Sequence, residues 1–164
     1  MNPPGIPMFY GADNAELATA ETRGKAVSVG KFVTTRETRI LDLASMPAVP
    51  GFFSEASREE RYALSFLHDF AKVIIQPVAR DNRTHIDYIP TQVFTEYLRD
   101  YPFADGNIDG VRYRSATGEA GTNVVMFATQ GNLVDGAAED AFDQDDAAWL
   151  MLVAVEHVDD HDAL

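Results

Sequence analysis

Asp109-Gly110-Val111-Arg112-Tyr113-Arg114-Ser115, a turn marked by Gly118 and Gly121, and then Asn123-Val124-Val125-Met126-Phe127 read as two strands in direct succession. Their β-branched and aromatic residues suit a pleated surface, and glycine suits the reversal between them. A third strand is expected over 147–155, and earlier ones over 8–12, 26–34 and 39–43. Helices come between them only in places. One is predicted over 14–23 behind an Asp13 N-cap, with Leu17 and Ala18 inward and Glu21 on the same face. A longer one opens at the Ser57/Glu60 capping box and carries Tyr62, Ala63, Phe66, Leu67, Phe70, Val73 and Ile74 at helical spacing up to Pro77. Another runs from Pro90, through Val93, Phe94, Tyr97 and Leu98, and stops before Pro102. The order is strand, helix, two strands, two helices, three strands. That order lacks the strict alternation of a doubly wound parallel sheet and predicts an α+β domain with helices packed against curved mixed sheets.

The chain's 164 residues, 46% of them hydrophobic, suffice for one core, and no internal repeat or long linker divides them. A single domain is expected over 1–158, with an acidic tail over 159–164. The formal charge of −13 argues against direct nucleic-acid binding, because phosphate contacts need a basic face. The charge is uneven: all 13 Lys and Arg lie at or before Arg114, whereas 11 of the 26 Asp and Glu follow it. The acidic last third reads as a solubilising surface more readily than as a dock for a basic partner. Without cysteine there is no disulfide framework, thiol nucleophile or thiolate metal site, and the reducing cytoplasm is the default compartment. No apolar run is long enough for a membrane span.

The chain has no Gly-rich phosphate loop, dinucleotide fingerprint, nucleophile elbow or His-Glu-x-x-His motif. His157 and His161 lie four apart beside Asp159, Asp160 and Asp162, but at an acidic terminus they read as incidental, so no metal is expected.

Three blocks together resemble the RES domain family, named for an Arg, a Glu and a Ser. They are Asn2-Pro3-Pro4-Gly5-Ile6-Pro7-Met8-Phe9-Tyr10-Gly11-Ala12, Ala20-Glu21, and Tyr88-Ile89-Pro90-Thr91-Gln92 with the two strands quoted above. The resemblance implies an ADP-ribosyltransferase-like fold acting on NAD. The reaction would break the nicotinamide–ribose bond, with phosphate as acceptor in some members and ADP-ribosylation of proteins in others. It also implies a toxin held by a helix-turn-helix antitoxin. Carried over position by position, Glu21 is the family's Glu, Ser115 its Ser, and Tyr10 the aromatic before the Gly-Ala turn. The family's Arg has no counterpart, so the resemblance is to a domain lacking its N-terminal part and first strands.

Cleaving an N-glycosidic bond builds positive charge on the ribose, which a carboxylate such as Glu21 stabilises. Nicotinamide leaves neutral and needs no general acid. Tyr10 is suited to stack on the pyridinium, and Ser115 to donate to ribose or phosphate. Arg112 and Arg114 share a strand face, and Arg114 is the candidate to bring charge to phosphate in place of the missing arginine. Each residue also has a plainer reading: Glu21 as a solvated helix carboxylate, Tyr10 as a core aromatic, Ser115 as a strand-end residue. Two function classes follow. One is an NAD-consuming enzyme, and the other is a catalytically impaired remnant or interaction module that keeps the fold.

Overall fold

The computed structural model describes residues 7–22, 28–75, 89–116, 121–136 and 147–157. In chain order these form β1 (Phe9–Ala12), α1 (Ala15–Glu21), β2 (Ser28–Thr34), β3 (Ile40–Asp42), α2 (Arg58–Ile74), α3 (Ile89–Asp100), β4 (Gly110–Arg114), β5 (Thr122–Met126), a 3-10 turn (Gln130–Asn132), β6 (Leu133–Asp135) and β7 (Leu150–His157). Two mixed sheets and three helices make an α+β fold. The first sheet runs β1-β5-β4-β3 and the second β2-β7-β6. In each, one neighbouring pair is parallel, β3 with β4 and β6 with β7, and the other pairs are antiparallel.

Two apolar clusters hold these layers together. Phe70 of α2 and Leu98 of α3 bury against Leu43 and Val111 on one face of the first sheet, with the Phe70 and Phe94 rings 4.1 Å apart. Met126, Ala128, Trp149 and Leu150 form the second cluster, joined by Phe9, Phe32, Ile40 and Val124. Full burial of one such side chain is worth about 1.5–3 kcal/mol. Phe9 and Phe32 meet edge to face at 4.7 Å. This contact brings β1, an edge of one sheet, against β2, an edge of the other.

Several expectations need correction. The N-cap of α1 is Asn14, whose Oδ1 accepts from the Leu17 N–H at 2.8 Å. Asp13 instead binds across to β5, its Oδ2 accepting from the Thr122 N–H at 2.9 Å and the Thr122 hydroxyl at 2.6 Å. Ser57 caps α2 as expected, accepting from the Glu60 N–H at 3.0 Å. The apolar stripe of α2 is only partly covered: Phe70 is buried, but Tyr62, Phe66 and Val73 are exposed. Spacing defines which residues share a face, whereas coverage depends on the width of what packs there, and the twelve-residue α3 is shorter than α2. The last strand begins at Leu150 and runs on to His157. His157 therefore sits in a sheet, its Nδ1 2.9 Å from the Ser28 hydroxyl. His161 and the expected tail over 159–164 lie outside the described residues, as does Gly118.

Candidate active site

Helix α1 is short, and its place is set by one side chain and two polar attachments. Leu17 is 1% exposed and lies over Gly121, where a Cβ would come within 2.8 Å of Leu17 Cδ2. Asp13 ties the front of the helix to Thr122. At its end, Glu21 Oε1 accepts from Ser115 Oγ at 2.7 Å and from Asn123 Nδ2 at 2.6 Å. Both donors engage the same oxygen, which fixes the carboxylate's orientation; among the described residues no donor is bonded to Oε2.

Strand alternation explains why these groups converge. Val111, Tyr113 and Ser115 share one face of β4 and its continuation, and Asn123 pairs directly with Tyr113 across to β5. Arg112 and Arg114 consequently fall on the other face. Arg112 donates to the Thr122 hydroxyl and pairs with Asp42 and Asp13, while Arg114 Nε donates to the Ala44 carbonyl at 3.2 Å. The fold thus brings Glu21 and Ser115 together and sets Arg114 apart from them.

A cavity of about 730 Å3 opens beside Glu21 and runs between β1, α1 and β2. Small-molecule sites span roughly 300–1,000 Å3. Tyr10, 46% exposed, lines it together with Glu21, Tyr113 and Asn123. Burial first, and then the nearby Glu21 carboxylate and Tyr10, push the Tyr113 phenol above its ordinary range. It therefore remains a neutral hydroxyl beside Glu21 at physiological pH. Asn123 is 7% exposed and its side-chain NH2 donates to Glu21, while its Oδ1 is buried with no hydrogen-bond partner among the described residues. Among the described residues no group of three or more His, Asp or Glu could hold a metal ion, and no helix is long and apolar enough to cross a membrane.

The family model of the RES domain matches residues 1–149. The chain belongs to the RES domain family. No curated protein and no solved structure matches it. RES domains are associated with NAD-related function, and in this RES chain Glu21 and Ser115 are hydrogen-bonded to each other. Asn123 and Tyr113 were not singled out by the sequence as site residues. Parity carried a signal for both: Asn123 is the polar residue two positions before the buried Val125, and residues two apart on a strand share a face.

Proposed function

We propose that this RES domain is an NAD-consuming enzyme that cleaves the bond between nicotinamide and ribose, by phosphorolysis or by ADP-ribosyl transfer. The observation that carries the reading is the Glu21 carboxylate at the cavity wall, with Ser115 and Asn123 both donating to Oε1. A carboxylate held in this way meets positive charge developing at the ribose carbon without having to reorient.

In the proposed reaction the C1′–N1 bond breaks and its electron pair goes to the pyridinium ring, which becomes neutral nicotinamide. The ribose carbon takes on oxocarbenium character, and an oxygen of phosphate or of a protein acceptor forms the new bond to it. Oε2 of Glu21 stabilises the cation or accepts from a ribose hydroxyl. Tyr10 covers the pyridinium. In the toxin setting that the family suggests, a helix-turn-helix antitoxin would be the partner.

A second reading, a RES fold that binds without catalysis, is favoured by one observation: no arginine is among the described residues that line the cavity. Incubating the purified chain with NAD, with and without phosphate, and measuring nicotinamide release for wild type and Glu21→Gln separates the two. Release that depends on Glu21 supports the enzyme. Release unaffected by the substitution removes Glu21 from the reaction, and no release from wild type leaves the binding module.

A further inference from the structure

Lys31 is the one basic residue among the described residues that line the cavity, which is also lined by Asp13, Glu21 and Glu156. The ion pairs elsewhere in the fold occupy Arg36, Lys72, Arg99 and Arg112. Among the described residues Lys31 pairs with none of the carboxylates around it. In the β2–β7 register Val29 lies opposite Glu156 and Lys31 opposite Ala154, so Glu156 is a diagonal neighbour of Lys31 on the same face, at about 7–8 Å between backbones. The register slips between Lys31 and Phe32, where β7 contributes the unpaired Val153. A bulge of this kind bends and twists the strand pair and re-aims side chains. Because β2 is an edge strand set against β1 through Phe9 and Phe32, Lys31 stands on a different wall from Glu21, which comes from α1.

This distribution has a chemical meaning. With three carboxylates in the wall, a doubly negative pyrophosphate would be repelled over most of the cavity, whereas a pyridinium would be welcome near Glu21. Among the described residues that line the cavity, the unpaired Lys31 ammonium is the one cation that attracts the phosphates, and lysine serves phosphate as a compact point charge with three donors. We propose that Lys31 is the phosphate-binding cation of this cleft and holds the pyrophosphate of the dinucleotide whose nicotinamide riboside end lies at Glu21. The assignment rests on the NAD reading above. It places the anionic half of the ligand on β2 and the reacting half between α1 and β1.

The test uses the full chain as wild type, Lys31→Ala, Lys31→Arg and Arg114→Ala. The measurements are the KM for NAD by nicotinamide release, and the binding of ADP and of phosphate-free nicotinamide riboside by calorimetry. Loss of a charge-assisted contact is expected to raise the KM of Lys31→Ala about tenfold or more. ADP binding should weaken in parallel, nicotinamide riboside binding should hold, and Lys31→Arg should recover most of the loss. An unchanged KM and ADP affinity in Lys31→Ala overturn the assignment while leaving the NAD reading intact. So does a loss that extends equally to nicotinamide riboside, or one reproduced by Arg114→Ala in place of Lys31→Ala. ADP binding that needs Lys31 in a chain releasing no nicotinamide keeps the phosphate subsite and removes the reaction. A wild type that neither binds NAD or ADP nor releases nicotinamide removes both.

Discussion

The Asn123 amide donates to Glu21 Oε1 across 2.6 Å and joins β5 to the end of α1, residues 102 positions apart in the chain. Asn123 is buried and Glu21 is not, so the amide is the fixed partner and the carboxylate the group being held. Asn123→Ala should lower kcat for nicotinamide release about tenfold or more with little change in KM, because a misaimed reacting group forfeits much of the rate. Asn123→Asp should be worse at neutral pH, since it sets a second carboxylate against Glu21. Steady-state kinetics on both variants check this, and a purely structural role for Asn123 would move stability without the split between kcat and KM.

Leu17 and Gly121 are complementary in volume, and the position of α1 depends on that fit. Leu17→Ala should cost about 2–5 kcal/mol as a core truncation. Gly121→Ala should cost about 1–3 kcal/mol by crowding Leu17 Cδ2. Combined, the new methyl group partly fills the space the leucine left, so the double variant should be more stable than the sum of the singles predicts. Trp149, the sole tryptophan and 6% exposed, reports the unfolding in urea. Strict additivity would show that the two side chains do not share one space.

Much of this fold was legible because its signals are local. The Ser57 cap and the 3.6-residue spacing define α2, and Leu17 with Glu21 four residues on already places the buried anchor and the carboxylate on one face of α1. What sequence could not carry is pairing between distant segments. β6 is three residues long and joins β7 in parallel, a partnership with no local pattern to betray it. Arg114 looked available for phosphate because charge and spacing say nothing about which face of a strand meets a cavity. Lys31 sat unremarked within a β-prone run, since its place in the cavity wall depends on two sheet edges meeting through Phe9 and Phe32. Glu21 and Ser115 came together through the family resemblance, and Asn123 needed only the parity of β5.

Tyr10 is 46% exposed and lines the cavity beside Glu21. If its ring covers a pyridinium, the attraction is worth about 0.5–2 kcal/mol, or roughly 2- to 30-fold in affinity. Tyr10→Ala should raise the KM for NAD by a factor in that range, whereas Tyr10→Phe keeps the ring and should stay near wild type. Loss of affinity in Tyr10→Phe equal to that in Tyr10→Ala would assign the contribution to the hydroxyl instead of the ring face.

Asp109 couples the two sheets through charge. Arg36 bonds both its carboxylate oxygens, at 2.6 and 3.3 Å, and the Arg39 N–H reaches Oδ2 at 2.8 Å, while the same guanidinium of Arg36 lies 4.5 Å over the Trp149 ring. Burial alone would raise the Asp109 carboxyl, but the Arg36 and Arg39 donors and their charges together outweigh it and hold the group below the ordinary carboxylate range. A folded value below the unfolded one, about 3.9, means the contribution is fully present above roughly pH 4–5 and is lost as pH falls through the folded value. Asp109→Asn should therefore cost about 1 kcal/mol at pH 7, a modest figure because Arg36 is 44% exposed. The difference from wild type should shrink below pH 4, where wild type loses the same interaction. Arg36→Ala should cost more than Asp109→Asn at pH 7, since it removes the ring contact as well, and should keep part of its deficit in acid. Urea midpoints for the three proteins from pH 7 to pH 3 test the ordering; a deficit in Asp109→Asn that stays constant across that range would mean the carboxylate's charge contributes nothing and only its hydrogen-bond geometry matters.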